Sequence, residues 1–105
     1  MKTQSDKLLM ERSGGNVFAD LGFSQTEAAN LALRSECMIA IERWYAASGL
    51  TQATAAAQLG ITQPRLNALL KGAINKFSLD ALVNLCARAG LRAQLRLTVP
   101  RKRAA

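Results

Sequence analysis

Side chains able to carry out chemistry are few in this sequence of 105 residues, and their types narrow the possibilities at once. Histidine, the commonest general acid and base, is absent. The two cysteines, Cys37 and Cys86, sit inside apolar helical patterns without a Cys-x-x-Cys spacing, so no metal site is expected. There is no Gly-rich phosphate loop, and no pair of carboxylates shares a foreseeable cleft. Neither an enzyme nor a cofactor is therefore expected. What stands out instead is a short polar run, Thr62, Gln63, Arg65 and Asn67, with Pro64 inside it and Ala68 a turn along. Glutamine and asparagine amides can pair bidentately with adenine and an arginine fork with guanine. Such a run on one helical turn could read the edges of base pairs.

Charge points the same way. The chain carries 14 Lys plus Arg against 7 Asp plus Glu, a net charge of +7. Almost all of the excess lies beyond Leu50, where Arg65, Lys71, Lys76, Arg88, Arg92, Arg96, Arg101, Lys102 and Arg103 face Asp80 alone. The first half is close to neutral. A one-sided cationic half is the electrostatic footprint of a protein that meets a polyanion on one face.

Length and patterning set the frame for these residues. One domain uses the whole chain. The longest apolar runs, such as Cys37 to Ile41, reach about five residues, far below the ~20 needed to span a bilayer. No secretory h-region precedes the domain, so a cytoplasmic protein is expected. The expected divisions are a flexible N-terminal arm over 1–15, a folded domain over 16–99 and a basic tail over 100–105.

Five helix starts are legible. Asn16 can cap a turn through Asp20, with Phe18, Leu21 and Phe23 apolar enough to dock on a core. Ser24 with Glu27 forms a capping box opening a helix to Ser48, stopped by Gly49 and open to a break between Arg34 and Glu36. On this helix Leu31, Met38, Ile41, Trp44 and Tyr45 share a stripe, so both aromatics are expected in the core. Thr51 caps a helix over Gln52 to Leu59 that ends at Gly60, and Thr62 caps another running to Lys71. In the latter Pro64 sits at the second position, where a missing amide is harmless. Ser78 caps the last helix, with Leu79, Leu82, Val83, Leu85 and Cys86 inward and Gly90 at its end.

From Leu91 the period becomes two. Leu91, Ala93, Leu95, Leu97 and Val99 alternate with Arg92, Gln94, Arg96 and Thr98, which predicts a strand. A lone strand needs a partner, and the economical one is the same strand of a second subunit, antiparallel across a two-fold axis. A partner protein's sheet is the alternative.

Two short helices around Gly60 predict a helix-turn-helix. Counted from Gln52, small Ala55 and Ala56 fall at four and five, Leu59 at eight, Gly60 at nine, Ile61 at ten, Leu66 at fifteen and Leu69 at eighteen. Small residues let the helices cross closely, glycine permits the turn, and the apolar positions bury the unit.

The stretch Leu50 to Gly72, LTQATAAAQLGITQPRLNALLKG, resembles the lambda-repressor-like (Xre) helix-turn-helix family. NVFADLGF ahead of it and FSLDALVNLCARAGLRAQLRL after it are similar to a bacterial subfamily commonly found as HigA-type antitoxins paired with RelE/HigB-like toxins. The resemblance implies a mainly α lambda-repressor-like bundle with a C-terminal β-strand that pairs across a homodimer. It implies a repressor of double-stranded DNA carrying an inverted-repeat operator, with antitoxin function or, alternatively, without a toxin partner. Thr62, Gln63, Pro64, Arg65, Asn67 and Ala68 would then face bases. Gln52, Lys71 and Lys76 would hold phosphates, Gln52 with help from the helix N-terminus. The toxin would sit on the arm and first helix, through Leu8, Leu9, Met10 and Phe18. Arg92 and Arg96 are expected to face solvent. RNA is the weaker polyanion, because the reading helix offers no exposed aromatic for stacking.

Overall fold

The computed structural model describes residues 17–100. The expected N-terminal arm, the Asn16 cap and the tail beyond Pro100 lie outside the described residues. Among the described residues five α-helices follow in order: α1 (Val17–Asp20), α2 (Gln25–Ser48), α3 (Gln52–Leu59), α4 (Gln63–Leu70) and α5 (Leu79–Arg88), with a 3-10 turn, Ile74–Lys76, between α4 and α5.

Each long helix begins where a hydroxyl can satisfy an orphan amide. Ser24, Thr51, Thr62 and Ser78 are extended in backbone and accept from the amides of Glu27, Thr54, Arg65 and Ala81, at 3.1, 3.1, 3.3 and 3.1 Å. Such a cap contributes about 1 kcal/mol. Three ends close with the same backbone device: the amides of Ile61, Ala73 and Leu91 reach back to the carbonyls of Ala56, Ala68 and Cys86 at 3.0, 3.0 and 2.9 Å. The long helix α2 runs without a break through Arg34 to Glu36.

α2 is the spine. It packs along α5 most extensively and also meets α1, α4 and the 3-10 turn, while α3 sits against α4 and α5. Ile41, Leu59, Leu66, Leu69, Phe77 and Leu82 are fully buried at the centre, and Ala55 and Ala56 allow α3 its close approach. Trp44 and Tyr45 pack against this core from its edge. Burial of each large aliphatic side chain contributes about 1.5–3 kcal/mol, which outweighs the weak helix propensity of segments as short as α3 and α4.

Three expectations are corrected. Leu21 and Phe23 stay exposed, at 68 % and 43 %, although Phe18 and Phe23 meet edge to face at 6.2 Å. α1 is too short to bury more than one face against α2. Val83 is exposed, because it looks into a groove rather than into the core. The largest departure is the C-terminal strand: no strand occurs among the described residues, and 91–100 is irregular. Of the residues expected to pair across a dimer, Leu91 is half-buried against the core. Ala93, Leu95, Leu97 and Val99 are exposed, Leu97 at 84 % and Val99 at 91 %. A strand exists through its hydrogen-bonded ladder, and an alternating segment with no opposing edge has no ladder to join.

Candidate nucleic-acid interface

The turn between α3 and α4 places the polar run on the outside of the molecule. Gly60 adopts φ +77°, and a β-carbon there would lie 2.9 Å from Cζ of Arg88. Only glycine fits both the left-handed backbone and the guanidinium packed on it. Arg88 Nε donates to the carbonyl of Gln58 at 3.4 Å, so a cation from α5 sits at the carbonyl end of α3.

Beyond the turn, Leu66 and Leu69 anchor one side of α4 in the core. Thr62, Gln63 and Pro64 are exposed on the opposite side of its first turn, and Arg65, Asn67 and Ala68 are half-buried. Thr62 is the cap, its hydroxyl engaged by the Arg65 amide. Arg65 does not extend freely: its guanidinium lies 4.3 Å over the Phe77 ring, and Nη1 donates to the Lys76 carbonyl at 3.3 Å. A cation–π contact at such a half-buried site contributes about 1 kcal/mol, so the side chain is held beside the 3-10 turn yet movable. Most of its five donors remain for a ligand.

Lys71, which ends α4, and Lys76, in the 3-10 turn, are both exposed. Gln52 is half-buried at the first position of α3. The 3-10 turn is clamped by a residue far away in sequence. Arg34 on α2 donates Nη1 to the carbonyls of Ile74 and Phe77, both at 3.0 Å, and Nε to Asn30 Oδ1 at 2.6 Å. Arg34, Phe77 and Arg65 therefore form a continuous support from the spine to the exposed turn.

Sequence reasoning located the polar run and the two lysines but missed Arg34, Arg88 and Phe77. A hint lay in Phe77 itself, an aromatic in a loop otherwise rich in small and polar residues. Among the described residues no helix is long and apolar enough to cross a membrane, and no group of three metal-ligating side chains gathers.

Residues 17–98 match a family model described as a helix-turn-helix domain. A solved structure described as an XRE family transcriptional regulator is similar at 30% sequence identity and a TM-score of 0.66, over 75% of this chain and 90% of that one. Among curated proteins none matches. With α3, Gly60 and α4 arranged as the motif requires, the chain belongs to the XRE family of helix-turn-helix DNA-binding transcriptional regulators.

Proposed function

We propose that this regulator is a sequence-specific repressor that docks α4 in the major groove, and that it acts as a homodimer on an inverted repeat. The observation that carries the reading is the exposed first turn of α4, polar and cationic, rigidly backed by Leu66 and Leu69 and followed in sequence by the exposed Lys71 and Lys76. Gln63 and Arg65 are the principal readers, Thr62 and Asn67 assist, and Pro64 and Ala68 offer apolar contact to a thymine methyl. Gln52, Lys71 and Lys76 hold phosphates and position rather than specify. The exposed apolar side of 91–99 is the surface that a second copy would cover, and 1–15 and 100–105 would flank the folded domain as arm and tail. Selection from a random duplex pool at near-physiological salt tests this. Enrichment of an inverted repeat with half-site centres about 10 bp apart is expected. Binding without enrichment would refute sequence-specific readout.

An antitoxin role has one supporting observation. Val17, Leu21 and Phe23 leave an apolar surface on and after α1, of the kind a protein partner covers. Co-expression with the neighbouring gene tests it. Co-purification of a small basic ribonuclease through this surface is expected, lost in a Leu21→Asp, Phe23→Asp variant. Its absence would leave a stand-alone repressor.

A further inference from the structure

Cys37 and Cys86, 49 residues apart, are brought together where α2 packs on α5. The Cys86 thiol donates to the Cys37 carbonyl at 4.0 Å, which brings it within reach of the Cys37 side chain. Neither is in a disulfide. Both thiols line a groove of about 860 Å³ between α2, α5 and the segment after Leu91. Its other walls are largely apolar, including Leu33, Trp44, Leu79, Val83 and Leu95, with Glu36, Arg43 and Arg92 as its charged members. Cys37 is half-exposed while Cys86 is buried. One thiol thus meets solvent, and the other waits behind it.

We propose that this pair is a thiol-oxidation site for an organic hydroperoxide, closing to an intramolecular Cys37–Cys86 disulfide. The reaction balances without any further reagent. The Cys37 thiolate attacks the distal oxygen of the hydroperoxide, an S–O bond forms as the O–O bond breaks, and the alcohol leaves with a proton. Cys37 is then a sulfenic acid, oxidised by two electrons. The Cys86 sulfur attacks it, the S–S bond forms, and the hydroxyl departs as water with the Cys86 proton. Two thiols and one hydroperoxide have become a disulfide, an alcohol and water.

The order of attack follows from the environment of each thiol. Donation from Cys86 lowers the Cys37 pKa from 9.0 to about 7, against the opposing effects of burial and Glu36. Cys86 is pushed far above its ordinary range by the same hydrogen bond and by burial. Near neutral pH the accessible sulfur is the nucleophile and the inner one keeps its proton until the sulfenic acid forms. The largely apolar walls admit a hydrocarbon tail, which selects the class of oxidant.

Treatment of the full chain with cumene hydroperoxide and, separately, hydrogen peroxide tests the inference, each rate being normalised to the same oxidant acting on free cysteine. Expected are loss of both thiols, a mass lower by two hydrogens with a Cys37–Cys86 crosslinked peptide, and a normalised rate at least tenfold higher with cumene hydroperoxide. Cys37→Ser should leave Cys86 reduced, and Cys86→Ala should stop at a Cys37 sulfenic acid trapped by dimedone. Should Cys86→Ala not fold, the wild-type crosslink and the half-exposed Cys37→Ser variant still decide. Equal normalised rates, intermolecular crosslinks or over-oxidation of Cys37 without a disulfide would overturn the proposal.

Discussion

The guanidinium of Arg65 rests 4.3 Å above the Phe77 ring and bonds the carbonyl next to it, that of Lys76, so the cation of the first turn of α4 is seated on the loop that leads into α5. Phe77 is 1 % exposed, which makes this seat part of the core rather than a surface accident. Moving the guanidinium onto a base forfeits about 1 kcal/mol of cation–π attraction, less than the ~1–3 kcal/mol of discrimination a bidentate contact to guanine provides. Arg65→Ala is therefore expected to relax choice at one base pair by about 1–3 kcal/mol, measured by competition between duplexes. Lys71→Ala or Lys76→Ala should instead weaken binding to all sequences and lower the salt slope by about one. Equal losses on every sequence from all three would remove Arg65 from the readers.

Gly60 answers two demands at once, a left-handed backbone and the Arg88 guanidinium against its α-carbon. Gly60→Ala should cost about 1–3 kcal/mol in denaturant unfolding, from backbone strain and the displaced arginine. In an Arg88→Ala background the penalty should shrink without vanishing, because the φ of +77° remains. A fully additive cycle would show that the arginine contact contributes nothing.

Arg34 holds two carbonyls of the segment around the 3-10 turn, 40 and 43 residues away in sequence. Its replacement by alanine should destabilise the fold by about 2–3 kcal/mol in thermal or denaturant unfolding, as half-buried carbonyls lose a charged donor. Lysine should rescue only in part, since an ammonium can replace Nη1 at the two carbonyls but supplies no second nitrogen for the bond that Nε makes to Asn30 Oδ1. A lysine variant of wild-type stability would show that the Asn30 bond contributes nothing.

The thiol pair makes a pH prediction. Because the folded Cys37 pKa is lowered to about 7 from 9.0, the folded chain binds fewer protons than the unfolded chain between those values. Stability from Cys37 is therefore complete above pH 9, diminishes as pH falls towards 7 and is lost below it. Cys86 acts oppositely: its raised pKa keeps a proton that the unfolded chain loses, so stability declines again above pH 9. Iodoacetamide labelling of Cys37 should titrate near pH 7, and Cys86→Ala should move the midpoint towards 9. A midpoint that Cys86→Ala leaves in place would remove the inter-thiol hydrogen bond as its cause.

Helix boundaries and the helix-turn-helix were legible in the sequence because their causes are local. A hydroxyl caps the amide three residues on, glycine closes a helix it directly follows, and an apolar stripe repeats within one segment. Ser24, Thr51, Thr62, Ser78 and Gly60 could be read one by one, and with them the exposed polar turn of α4. Tertiary structure decided what depends on neighbours far along the chain: Arg34 on the Ile74 and Phe77 carbonyls, Arg88 over Gly60, Arg65 on Phe77, and Cys37 beside Cys86. It also decided the fate of 91–99, whose alternation is a local property while strand formation is not. Periodicity states which side chains share a side, but a ladder needs a second backbone, and the described residues provide no edge for it.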